Sequence, residues 1–142
     1  MTGVWGHDDF DLEPLRLALA RLEEGWDRYN RDRSDTQIRD GLIQRFEFTY
    51  ELAHKTLRRW LRAASASPED VSAMAFADLV RTGNQQGLLR SDWPAWRRFR
   101  ELRSRTSHTY DEAIALEVVA CIPEFIEEVR VLRDRLGVRE AK

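Results

Sequence analysis

The stretch GLIQRFEFTYELAHKTLRRWL, residues 41–61, decides the fold class. Leu42, Phe46, Tyr50, Ala53, Leu57 and Leu61 recur at steps of three and four. That rhythm places side chains on one stripe of an α-helix. Ile43, Phe48, Leu52 and Trp60 widen the apolar surface beyond the stripe. A helix this apolar belongs at the centre of a bundle or against a second subunit.

Working outward, Ser34 and Gln37 form a capping-box pattern, so this helix should begin near Asp35 and continue to about Ala64. Upstream, Leu15, Leu19, Leu22, Trp26 and Tyr29 predict a first helix over about 12–30, with Pro14 tolerated in its first turn. Downstream, Ser67 and Pro68, followed by Glu69 and Asp70, predict a short third helix that ends before Gly83. TGNQQG, residues 82–87, reads as a loop. SDWP at 91–94 opens a fourth helix carrying Trp93, Trp96 and Phe99 and ending near Arg105. Thr109 and Glu112 repeat the capping box, so the last helix should begin near Tyr110. Ile114, Val118, Cys121, Phe125, Val129, Leu132 and Leu136 carry its stripe, and Pro123 predicts a kink. No segment alternates convincingly with the period of a strand. The expectation is an all-α chain: an antiparallel, up-and-down four-helix bundle with an extra short helix. One domain should span 1–142, with its core at about 12–137.

Composition agrees with a packed helical protein. Hydrophobic residues reach 42% of 142, enough for a core, while only 7 Gly and 4 Pro interrupt. The net charge of −2 excludes a globally basic surface for nucleic acid. Locally, Arg90, Arg97, Arg98, Arg100, Arg103 and Arg105 outnumber Asp92 and Glu101. That excess fits a solvated helix face as well as a binding surface. Cys121 is the single cysteine, so no intramolecular disulfide forms; on the buried stripe it reads as a small apolar side chain. No apolar run has transmembrane length, and MTGVWGHDDFD at the N-terminus is no signal peptide, so the expected location is the cytoplasm.

Chemistry concentrates in RSRTSHTYDE, residues 103–112. On one continuous helix, Arg103 and His108 would stand about 140° apart around the axis. A corner at TSH lets them converge and sets a helix N-terminus beside them, whose N–H groups attract phosphate. Arginine, histidine and helix start together suit a phosphodiester. RNA supplies its own nucleophile, the 2′-OH. An imidazole can move the proton and a guanidinium can stabilise the charge on the phosphate. No metal or other cofactor is indicated, since His7, His54 and His108 lack ligand spacing. The plainer alternative makes His108 a capping residue and Tyr110 packing.

RSRTSHTY has the form Arg, four residues, His, one residue, Tyr, and resembles the signature of HEPN-domain proteins. Residues 41–61 are similar to the second helix of one HEPN branch, the nucleotidyltransferase substrate-binding family. GLLRSDWPAWRRFRELRSRTSHTYDEAIA, residues 87–115, resembles its second block. The resemblance implies a HEPN-like bundle, usually a homodimer, encoded beside a small nucleotidyltransferase called MNT. Such pairs behave as toxin–antitoxin systems in which the HEPN member is an RNase toxin. By that likeness Arg103 would bind the scissile phosphate, His108 would serve in acid–base catalysis, and the partner would adenylylate Tyr110 (AMPylation). Ser104 stands where many members carry an amide; Ser104 and Ser107 are possible supporting residues. His54 replaces an aromatic residue and reads as a neutral core or interface histidine. Glu47, Glu51 and Lys55 read first as a surface ladder of i,i+4 pairs; a sharper reading sets Glu47 or Glu51 beside Arg103 or His108. The family label supports an alternative, a non-catalytic subunit presenting substrate to the nucleotidyltransferase; a third possibility is a dimeric scaffold with a decayed site.

Overall fold

The protein is described by a computed structural model that covers residues 10–140. His7 and the first nine residues of MTGVWGHDDFD lie outside them.

Helix α1 (Glu13–Arg31) turns Leu15, Leu19, Leu22 and Tyr29 inward and holds Pro14 in its first turn. Helix α2 (Thr36–Ala64) follows after a short link. Its cap is Asp35 rather than the expected Ser34. The Asp35 carboxylate accepts from the N–H groups of Gln37 at 3.0 Å and Ile38 at 3.1 Å. Ser34 is drawn away, its hydroxyl donating to Asp32 at 2.5 Å.

The segment after α2 forms two helices where one was expected, α3 (Pro68–Ser72) and α4 (Phe76–Gln85). Arg58 of α2 explains the break. Its Nη1 donates to the carbonyls of Val71 at 2.8 Å and Met74 at 2.9 Å, satisfying groups that a continuing helix would have used. Ser67 makes no side-chain cap bond. Thr82–Gln85 is helical, not loop, and Gly83 lies buried where a Cβ would stand 3.1 Å from Leu57. Gly87, with φ of 77°, turns the chain out of α4.

Helix α5 (Trp93–Ser104) is capped by Asp92, which accepts from the Trp93 N–H at 2.7 Å. A single 3-10 turn, Thr106–His108, makes the corner. Helix α6 (Glu112–Glu140) then runs as one element through Pro123.

Cross-helix contacts fix the directions. Thr49 lies by Ala18 and Arg45 by Arg21, so α1 and α2 are antiparallel. Glu23 pairs with Arg130 at 2.6 Å and Arg16 lies by Gly137, which makes α1 antiparallel to α6. Arg98 meets Glu124 at 3.4 Å and Arg105 meets Glu117, so α5 also opposes α6. The result is the expected up-and-down four-helix bundle of α1, α2, α5 and α6. Phe125 sits at its centre, with ring centroids 4.9 Å from Phe46, 5.2 Å from Phe99 and 6.1 Å from Trp96. Cys121 is fully buried beside this cluster, and burial pushes its thiol up to about 12. Glu128, equally buried, is matched by Arg90 at 3.2 Å and the Ser91 hydroxyl at 2.5 Å. Among the described residues no helix is long and apolar enough to cross a membrane.

Candidate active site at the α5–α6 corner

Arg103 occupies the last turn of α5 and reaches across to α2. Its Nη1 lies 3.0 Å from Glu47 Oε2 and donates to the Thr106 hydroxyl at 3.2 Å. The Thr106 hydroxyl in turn donates to Glu47 at 2.7 Å. Thr106 is buried, whereas the Arg103 side chain keeps 32% of its exposure. An ion pair this open contributes about 1 kcal/mol or less to stability, so its main effect is orientation. Arg103 Nε lies 3.3 Å from Glu51 Oε1 but makes no hydrogen bond there. The guanidinium is therefore pinned at one edge by Glu47 and Thr106, while the Nε–H is shielded by Glu51 yet unsatisfied.

This arrangement corrects the reading of Glu47, Glu51 and Lys55 as a surface ladder. Both glutamates face Arg103. A sequence periodicity shows which residues share a helix face, but not which helix that face meets.

His108 and Tyr110 stand on the outer side of the corner. His108 is exposed, and its Nδ1 lies 3.4 Å from the Tyr110 hydroxyl, with Tyr110 itself 86% exposed. The imidazole and the guanidinium are both open to solvent, and each has its own partners: Tyr110 for one, Glu47 and Thr106 for the other. Ser104 is turned back on its own helix, its hydroxyl donating to the Glu101 carbonyl at 2.6 Å. Ser107 is exposed on the 3-10 turn.

The helix start differs from expectation. Asp111, not Thr109, opens α6: its carboxylate accepts from Ala113 N–H at 2.9 Å and Ile114 N–H at 3.3 Å. Thr109 bonds the Thr106 carbonyl, and Glu112 pairs with Arg39 at 3.0 Å. A carboxylate of the chain already satisfies the amides that were expected to attract phosphate. An anion at this corner would meet the Arg103 guanidinium rather than free helix amides.

The basic run from Arg90 to Arg105 is likewise mostly matched. Arg97 pairs with Glu101 at 3.1 Å, and Arg90, Arg98, Arg103 and Arg105 pair with glutamates of α6 or α2. His54, by contrast, fits its reading as a neutral histidine. Burial first, then the charge of Arg58, pushes its imidazole down to about 4. Arg58 donates to its Nε2 at 3.1 Å, and the ring packs on Phe76 at 4.0 Å.

Residues 10–138, which contain the corner and all but the last two residues of the bundle, match a family model described as nucleotidyltransferase substrate binding protein like. The chain belongs to this family. It shares 38% identity over 140 residues with the Probable ribonuclease HepT of Haemophilus influenzae, covering 93% of this chain and 95% of that protein. A solved structure of HI0074 from the same organism, described as revealing the fold of a substrate binding domain of a nucleotidyltransferase, superposes with a TM-score of 0.83. That match carries 32% identity and covers 89% of this chain and 99% of the other. The all-helical HEPN-like architecture of this family member is thus shared by a relative of known structure.

Proposed function

We propose that this protein is a metal-independent endoribonuclease, the toxin of a HEPN/MNT toxin–antitoxin pair. The observation that supports this reading is that one corner carries both the Arg103 guanidinium, held by Glu47 and Thr106, and an exposed His108–Tyr110 pair. Likeness to a protein named probable ribonuclease supports it. In the reaction, the RNA 2′-oxygen bonds to the adjacent phosphorus as the bond to the leaving ribose oxygen breaks. His108 handles the proton moving off the nucleophile or onto the leaving group. Arg103 takes up the negative charge that builds on the phosphate through the part of its guanidinium that remains open to solvent. A homodimer would bring the two corners together and complete the cleft.

Control acts at Tyr110. An MNT-type nucleotidyltransferase bonds the tyrosyl oxygen to the α-phosphorus of ATP and releases pyrophosphate. The resulting AMP group carries bulk and negative charge beside His108, filling the phosphate site and repelling RNA.

Expression of the protein alone should slow growth, and His108→Ala should remove that effect. Equal growth of both strains overturns the enzyme reading. Coexpression with the nucleotidyltransferase should add AMP to the peptide bearing Tyr110; an unmodified peptide from an active partner overturns the switch. The description of HI0074 favours a second reading, a non-catalytic subunit that presents substrate to the nucleotidyltransferase. In that case Arg103→Ala leaves growth and partner binding unchanged.

A further inference from the structure

The far half of α2 carries a charged feature apart from the corner. Lys55, Arg59 and Arg62 recur at steps of four and three, which puts them on one stripe. All three are exposed, and among the described residues none has an ion pair or side-chain hydrogen bond. On α5 the balance is different: Arg97, Arg98 and Arg103 are each matched by a glutamate, and among the described residues only Arg100 of that helix has no ion pair. Unpaired cations on a folded surface repel one another and gain nothing from being together unless an anion joins them.

These side chains border a groove of 370 Å³. Arg58 forms its inner wall, held by the carbonyls of Val71 and Met74. Glu51 closes one end, and the same Glu51 lies 3.3 Å from Arg103 Nε, so the groove leads to the candidate active site. The only ring in its lining, His54, is already packed on Phe76, and no apolar side chain borders it. The lining therefore offers no free aromatic or aliphatic side chain to anchor a protein partner. Base stacking has no free platform either. What remains is a row of flexible cations extending about 10 Å along the helix, a match for a chain of phosphates.

We infer that this groove binds the phosphate backbone of the RNA strand flanking the bond cut at the Arg103–His108 corner. The inference rests on the ribonuclease reading for the identity of the ligand. It makes binding along α2 independent of base sequence, with Lys55, Arg59 and Arg62 each holding a phosphate.

The test uses the full chain and a fluorescently labelled single strand in which every 2′-hydroxyl is methylated, so that no cleavage can occur. Binding is followed by anisotropy across a salt series. Each phosphate contact on a single strand contributes about 0.7 to the slope of log affinity against log salt. The variant K55Q/R59Q/R62Q should therefore flatten that slope by about 2 and weaken binding roughly tenfold or more at low salt. R21Q/R28Q/R31Q, an equal loss of exposed charge on α1, should change the slope far less. Equal melting temperatures establish that both variants are folded. A slope unchanged in the α2 variant, or changed equally in both, overturns the inference. If the wild-type protein never cuts an unmodified strand, yet the slope is flattened only in the α2 variant, the ribonuclease reading is sunk and the groove is upheld.

Discussion

Arg103 is held by residues far away in the chain, and that tie has a measurable consequence. Glu47 is a positioning residue on the ribonuclease reading, acting through Arg103. Glu47→Gln should lower cleavage about 10- to 100-fold by loosening the guanidinium, with little change in the melting temperature. A loss of stability matching the loss of rate would assign Glu47 a purely structural role. His54 makes a different prediction. Its imidazole titrates near 4 in the folded chain and near 6.5 when free. Between those values the unfolded chain takes up a proton that the folded chain refuses, so His54 lowers stability as the pH falls through this window. Above the window the penalty is absent. His54→Phe should flatten the dependence of the urea midpoint on pH over that range relative to the parent protein. Arg103, His108 and Tyr110 could be picked out from their spacing because they lie within one short stretch. Glu47 could not be ranked first, because its partner is 56 positions away and only the packing of α2 on α5 joins them.

At the scale of the element, the α5–α6 corner depends on Asp111. Asp111→Ala should cost about 1 kcal/mol, read as a shift in the urea midpoint at unchanged slope. An unchanged midpoint would mean that water replaces the cap without loss. The corner itself was legible: TSH at 106–108 is the turn that the two flanking helices require. Its cap was not, since Thr109 and Asp111 are both good caps two residues apart. The extent of the 3-10 turn decides between them. The same limit explains α3 and α4. A short segment carries too few periods to show a break, and the break is made by Arg58 of another helix.

The whole molecule follows from stripes that could be read directly. α2 and α6 each hold a regular apolar face over 29 residues, and the short links from α1 to α2 and from α5 to α6 make each of those pairs antiparallel. Where the faces meet was hidden until Phe125 was seen against Phe46, Trp96 and Phe99. Phe125→Ala should cost about 3–5 kcal/mol of global stability in a denaturant titration. A cost well under that range would mean that the surrounding rings close the space. Cys121, buried in the same core, has a use at the bench. Its thiol is out of reach of alkylating reagents while the bundle is closed, so the rate at which the native protein takes up a maleimide reports how often the core opens. A cysteine introduced at an exposed position such as Ser107 can then carry a dye at one address only, without first removing the natural one.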